Sequence, residues 1–330
     1  MASIIESMLL KTNKGWRPKR TIIFCSWGGN PFGNIGSYKW GKEFEKILQN
    51  NAVAYIDIQN PYFGNTSLRS IASPSLQQLT AEAIKKMQRI CTEGKTCHKS
   101  NVSSVHMQRD ADFFINYLGI AAAQFVFDDF KSSEAINFIS EAFFINKTKN
   151  VQEQNHSFHL HRYVAKLTTE IVLQISTQPI LPFNALDVAL EIQKRIEGDG
   201  SSDSILMEQS RSLRETAQLF QSNEMRPANN PRERNPLRVR MLNDILQNLE
   251  KNFLIQNHPA GFPRNILYRL DERTTRFSLL QEAQEHCKIS KSNETLLSAL
   301  QEVLNCITSA TLYLKESLHV FQDGLEESDL

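Results

Sequence analysis

Between Thr21 and Ile56 the chain carries a pattern that few architectures accept. Thr21-Ile22-Ile23-Phe24-Cys25 is a continuous apolar run of strand length, as expected for a strand buried on both faces of a parallel sheet. A glycine-rich turn follows from Gly28 to Gly36, and then Trp40, Phe44, Ile47 and Leu48 recur at helical spacing. Ala52-Val53-Ala54-Tyr55-Ile56 reads as a second buried strand, and two such strands joined through a helix make one βαβ unit. Ser73-Pro74 opens a further helix, with serine at the N-cap and proline at the first helical position, and Leu76, Leu79, Ala83, Met87 and Ile90 continue one apolar face. Asp110 to Leu118, stopped by Gly119, predicts another helix, and Ile120 to Phe127 another buried strand. The fold class is therefore α/β, with helices flanking a mainly parallel sheet.

After Leu181-Pro182-Phe183 the strand signals nearly vanish. Leu242, Leu246, Leu249 and Phe253 are spaced by four, three and four, and Leu296, Leu300, Val303, Ile307, Ala310, Leu314, Leu318 and Phe321 extend the same pattern. Met225 to Pro236, rich in proline, asparagine and arginine, reads as an exposed loop between helices. The expected division is an α/β part over residues 1–178 and a helical part over 179–330, and 330 residues suffice for both to have real cores.

Charge excludes several partners. A formal net charge of +1, from 37 basic and 36 acidic residues, sets up no field that would draw nucleic acid or an anionic membrane surface. The basic run Lys11, Lys14, Arg17, Lys19, Arg20 reads as a solvated helix-to-strand connection. No stretch of 18 apolar residues occurs and the N-terminus lacks the apolar core of a secretory signal, so this chain by itself is expected neither to span nor to enter a membrane. Of five cysteines, only Cys91 and Cys97 look placed for a local disulfide, whereas Cys25 and Cys306 sit in apolar runs and read as free thiols. There is no C-x-x-C pair to support structural zinc. Five N-x-S/T sequons, at Asn65, Asn101, Asn146, Asn155 and Asn293, together point to an exported surface.

Three chemical motifs can be weighed. The glycines at 28, 29, 33 and 36 lie between a strand and a helix, but the spacing is neither G-x-G-x-x-G nor G-x-x-x-x-G-K-[ST], and no lysine follows to hold phosphate. His156, His159 and His161 cluster as metal ligands can, yet no fourth ligand is evident nearby, so solvated histidines at a helix start are the better reading. No G-x-S-x-G follows a strand, which removes the serine-hydrolase arrangement.

The segment Gly15-Trp16-Arg17-Pro18-Lys19-Arg20-Thr21-Ile22-Ile23-Phe24-Cys25-Ser26-Trp27, running on to Phe32-Gly33 and Gly36-Ser37, resembles the glutamate carboxypeptidase and transferrin receptor family. Val53-Ala54-Tyr55-Ile56, Gly64-Asn65, Leu118-Gly119-Ile120-Ala121, Leu181-Pro182-Phe183 and Arg240-Met241-Leu242-Asn243-Asp244 extend the resemblance over nearly the whole chain. It implies a partial zinc-peptidase-like α/β domain over 1–178, followed by a helical, transferrin-receptor-like dimerisation domain over 179–330. Active relatives hold zinc, and their turn after Ser-Trp supplies adjacent glutamates as general base and metal ligand. Here those places hold Asn30 and Pro31: an amide has no useful basicity near neutral pH, and proline has no ligating side chain. The family's aspartate ligand falls on Gln59, with Asp57 two residues earlier, and its last histidine ligand falls on Glu141. The arginines that fork onto a substrate carboxylate fall on Gln124 and Val126. Two further ligands, a cytoplasmic tail, a membrane span and an apical domain would lie upstream of Met1.

The resemblance thus implies an inactive homologue with no catalytic residue, metal or cofactor, the lumenal or extracellular part of a single-pass type II membrane glycoprotein, and a homodimer through the helical domain. One alternative is a residual zinc carboxypeptidase or dipeptidase using Asp57, Glu141 and His161. Another is a receptor-like binding module, for which no residue identifies a ligand.

Overall fold

Two of the three expected strands form, and two further strands form at Leu68–Ala72 and Val102–Ser103, where the sequence pattern marked none. The computed structural model describes residues 1–58, 68–90, 102–105, 110–127, 151–199, 204–232, 234–256, 263–269 and 275–326. Its sheet comprises β1 (Ala54–Asp57), β2 (Leu68–Ala72), β3 (Val102–Ser103) and β4 (Ala121–Phe127) in the order β1-β4-β2-β3. β1 runs parallel to β4, in register from Ala54 with Ala121 to Asp57 with Gln124, and β3 runs parallel to β2. β2 is antiparallel to β4, from Leu68 with Phe127 to Ala72 with Ala123, so the sheet is mixed rather than mainly parallel.

The third expected strand, Thr21–Cys25, takes no regular secondary structure and joins no ladder among the described residues. Ile23 is 66% and Phe24 41% exposed. The apolar pattern is that of a strand, but a strand exists only where its backbone groups find a neighbour. The described partner of β1 is β4 alone.

Two local expectations also change for physical reasons. Ser73 does not cap a helix with its side chain: its Oγ accepts from the Ala122 N–H at 2.9 Å, and its own N–H donates to Ala122 O at 2.8 Å. The residue therefore extends the β2–β4 ladder by one pair before a 3-10 turn, Pro74–Leu76, leads into α4 (Gln77–Ile90). The basic run is not simply solvated. It follows α1 (Ala2–Asn13), and Arg20 reaches the C-terminal end of α6 (Val151–Thr177), where Nη1 donates to Ile175 O at 2.7 Å and Gln178 O at 2.6 Å, and Nη2 to Pro179 O at 3.0 Å. A helix leaves its last carbonyls without partners and its C-terminus partly negative, and the guanidinium answers both.

Between these lie α2 (Ile35–Glu43), α3 (Glu45–Asn51) and α5 (Asp112–Asn116), the last shorter than the expected Asp110–Leu118. The helical half consists of α7 (Ala185–Asp199), α8 (Ser204–Phe220), α9 (Arg226–Asn229), α10 (Pro236–Asn248), α11 (Ser278–Ser290) and α12 (Glu294–Glu326). The expected loop from Met225 to Pro236 is partly helical, with a π turn over Gln221–Met225 running into α9 and with Met225 and Ala228 buried. The long stripe on α12 closes within the chain: Val303, Ile307, Ala310 and Leu314 are fully buried, and α12 lies against α8, α11 and a 3-10 turn at Leu249–Phe253.

One apolar core joins the sheet to the helices, including Ala72, Phe125, Leu167, Ile192, Leu213, Phe253 and Val303. Each such large side chain contributes about 1.5–3 kcal/mol on burial. Two buried acids within it are held by named donors. Fully buried Arg195 donates through Nε to Glu191 Oε1 at 2.8 Å and through Nη1 to Ile266 O at 2.9 Å, and Arg269 Nη2 meets the same Glu191 oxygen at 2.7 Å. Glu250 accepts from the Ser75 N–H at 3.0 Å and from Ser75 Oγ at 2.5 Å, tying the helical half to the approach to α4.

Candidate functional site

The turn after Trp27 holds the positions that the family resemblance marks as base and ligand. Asn30–Phe32 forms a 3-10 turn between Gly29 and Gly33, both left-handed at φ 73° and 74°, and α2 starts after Asn34, at φ 55°. A Cβ on Gly36 would stand 2.4 Å from Gly28 O, so glycine there lets the loop close onto itself. The glycine spacing thus serves a tight turn folded on its own backbone, not a cradle for phosphate.

Aromatic packing fixes the turn from beneath. Trp27 and Trp40 lie 5.2 Å apart, Tyr55 stacks on Phe114 at 4.4 Å, and Trp27 Nε1 donates to Tyr55 Oη at 2.8 Å. Burial, then the charge of Asp57, pushes the Tyr55 hydroxyl far above its usual range, so it stays protonated.

Against this floor, Asn30 Nδ2 donates to Asp110 Oδ2 at 3.1 Å, and Ser37 Oγ lies 3.3 Å from Asp110 Oδ1. Asp110 is buried, and Asn30 Oδ1 is buried with no hydrogen-bond partner among the described residues. The amide at the base position therefore presents its donor end to a carboxylate. Asp110 was not foreseen as part of the site: at the head of an expected helix it reads as a cap, and no local pattern in the sequence links it to a residue 80 positions away.

Asp57, the last residue of β1, and Gln124, midway along β4, are both buried and pair across the ladder. Gln124 Nε2 finds no hydrogen-bond partner among the described residues, and the position expected to read a substrate carboxylate is a buried neutral amide. His161 is exposed on α6, and the histidines before it lie on the first turns of that helix. Pro31 takes the middle of the 3-10 turn. Gln59, Glu141, Asn65, Asn101, Asn146, Cys91 and Cys97 lie outside the described residues, as do the side chains of Val126 and Asn155. Asn293 is exposed immediately before α12, and Cys25, Cys287 and Cys306 are free thiols.

Among the described residues no three His, Cys, Asp or Glu side chains converge as a ligand set. The groups that meet Asp110 include the Asn30 amide, turned N–H first, and the Ser37 hydroxyl. These residues do not fit the zinc centre implied by the resemblance.

Fold and turn describe an α/β chain with a small mixed sheet, and over nearly its whole length the chain is similar to proteins of the glutamate carboxypeptidase and transferrin receptor family. It is 53% identical over 326 residues to inactive N-acetylated-alpha-linked acidic dipeptidase-like protein 2 of Homo sapiens, an alignment covering 99% of this chain and 41% of that protein. It is 26% identical over 280 residues to aminopeptidase NAALADL1 of Rattus norvegicus, covering 77% of this chain and 37% of the relative. Transferrin receptor protein 2 of Homo sapiens matches at 23% over 195 residues, 56% of this chain and 24% of that protein. No family model matches the chain. The chain spans about two fifths of the length of the curated relatives it matches. No helix among the described residues is long and apolar enough to cross a membrane.

Proposed function

We propose that the chain is a catalytically inactive peptidase homologue in which the former catalytic turn is kept as structure. The observation that carries this reading is the Asn30 to Asp110 hydrogen bond at 3.1 Å. General-base catalysis needs an acceptor with a pKa near the operating pH, aimed at a water. Position 30 instead offers a donor aimed at a buried carboxylate. The name of the human relative, inactive at 53% identity, supports the same reading.

The test is zinc loading of the full chain, followed by elemental analysis and an assay on a peptide ending in an acidic residue. The expected result is no stoichiometric zinc and no hydrolysis. Stoichiometric zinc that disappears on Glu141→Ala would overturn the proposal in favour of a residual peptidase using Asp57, Glu141 and His161.

The chain, on this reading, is the lumenal or extracellular part of a type II membrane glycoprotein, with the peptidase-like part over 1–178 and a dimerisation-like helical part over 179–330. The outward side of α12 keeps Leu312 and Val320 exposed, away from the Asn293 end, which favours a second copy as the partner. Light scattering at micromolar concentration tests that pairing, and a monomer refutes it.

A further inference from the structure

The α11–α12 hairpin ends in an apolar tip. Ile289 is 84% and Leu297 63% exposed, and they flank Asn293 at four residues to either side. Leu297 lies one helical turn beyond Asn293, so the two share a side of α12. Between them Lys291 turns the chain in a left-handed conformation, and Asn293 O accepts from Leu297 N–H at 2.9 Å to start the helix.

Asn293-Glu294-Thr295 is a sequon, and among the five it alone has its acceptor side chain within the described residues. Both Asn293 and Thr295 are exposed. The amide is oriented for modification without loss of its structural contact: Oδ1 accepts from Cys287 Sγ at 3.0 Å, which leaves Nδ2, the atom that would be glycosylated, facing away from that bond. Thr295 Oγ1 lies 3.2 Å from His286 Nδ1, on the surface.

We propose that Asn293 carries an N-linked glycan and that the glycan covers Ile289 and Leu297. The inference rests on the lumenal orientation proposed above. In the reaction Nδ2 forms a bond to the anomeric carbon of a lipid-pyrophosphate-linked oligosaccharide, the bond from that carbon to pyrophosphate oxygen breaks, and the amide proton leaves with the lipid pyrophosphate as the other product. A sugar suits the tip because one face of a pyranose is apolar while its rim stays hydrated, so contact with Ile289 and Leu297 removes apolar surface from water without closing the site to solvent.

The full chain, expressed behind an added cleavable secretion signal, is digested with a peptide N-glycosidase in heavy-oxygen water and read by mass spectrometry. The expected result is heavy-oxygen labelling at position 293, abolished by Thr295→Ala and retained by Thr295→Ser. A secreted, folded chain with Asn293 unmodified would overturn the proposal. Hydroxyl-radical labelling before and after sugar removal tests the covering role: labelling of Ile289 and Leu297 should rise about twofold once the bulky group is gone, and unchanged labelling overturns that role. A glycosylated signal-bearing chain beside an unglycosylated native protein would support the acceptor and overturn the lumenal orientation.

Discussion

Restoring the missing base should harm this chain. Asn30→Glu exchanges an amide that donates to Asp110 at 3.1 Å for a carboxylate facing the same oxygen. Two unit charges at that separation repel by about 5 kcal/mol at an effective dielectric of about 20. Loss of a hydrogen bond to a charged group adds about 1.5–3 kcal/mol. Protonation and side-chain movement relieve part of the total, leaving a net destabilisation of about 2–4 kcal/mol at pH 7. The sign with pH follows from linkage. Repulsion raises the folded-state pKa of the facing carboxyls above their unfolded values, so the loss is largest above the folded pKa and disappears as pH falls through it. Urea denaturation followed by fluorescence of Trp27 and Trp40, which lie 5.2 Å apart beneath the turn, reads the change directly. Asn30→Ala is the control and should lose only the hydrogen-bond part. Asn30→Glu that is as stable as the parent at pH 7, or that is stabilised by stoichiometric zinc, would refute the reasoning, since either outcome means the turn can still house a catalytic carboxylate.

Three further outcomes are expected. Arg20→Ala should cost about 2 kcal/mol and speed amide exchange at the end of α6, with Arg20→Lys recovering under half, because a point charge cannot fork onto the carbonyls of Ile175, Gln178 and Pro179; equal protection in both variants would count against the capping role. Glu191→Ala should cost about 3–5 kcal/mol in chemical denaturation, since it leaves the guanidinium groups of Arg195 and Arg269 buried without their shared carboxylate; a loss under 1 kcal/mol would show that water or another acidic group serves them. Burial pushes the Asp112 carboxyl from 3.8 up to about 6, against a hydrogen bond from Asn116 that lowers it. Its favourable contribution is therefore complete below the unfolded value and is lost as pH rises through about 6. Asp112→Asn should be the more stable protein at pH 8 by at most about 3 kcal/mol and equal to the parent below pH 4, and a difference independent of pH would exclude the titration.

What could be read from the sequence was whatever depends on residue type alone. That Asn30 cannot serve as a base and Pro31 cannot ligate follows from an amide and a pyrrolidine ring, whatever surrounds them. The helices followed from apolar periodicity, since α4 and α12 bury the faces their spacing marks, Leu79 and Ala83 on one and Val303, Ile307 and Leu314 on the other. Pairing was another matter. Thr21–Cys25 has the composition of a buried strand but no ladder among the described residues, Ser73 joins a sheet where its position before proline suggested a cap, and Arg20 closes a helix some 155 residues away. Each of these depends on which distant group supplies the other half of a hydrogen bond, and a local pattern carries no record of that.

The same distinction decides how the empty base position should be understood. From residue types alone, Asn30 is a loss: a glutamate's chemistry is gone and nothing replaces it. The hydrogen bond to Asp110 makes it a gain of structure as well, because a buried carboxylate needs donors and the amide supplies one at 3.1 Å. With Asn30 Oδ1 unpartnered among the described residues, the amide is satisfied there on its donor side only. A single reversion to glutamate would then add a base only by adding a second charge next to a buried one. Pro31, in the middle of the 3-10 turn, would have to change too before a metal could neutralise the pair. On the inactive reading proposed above, restoring a base and a ligand at this turn takes at least two coordinated substitutions, and the first of them taken alone is expected to destabilise the chain.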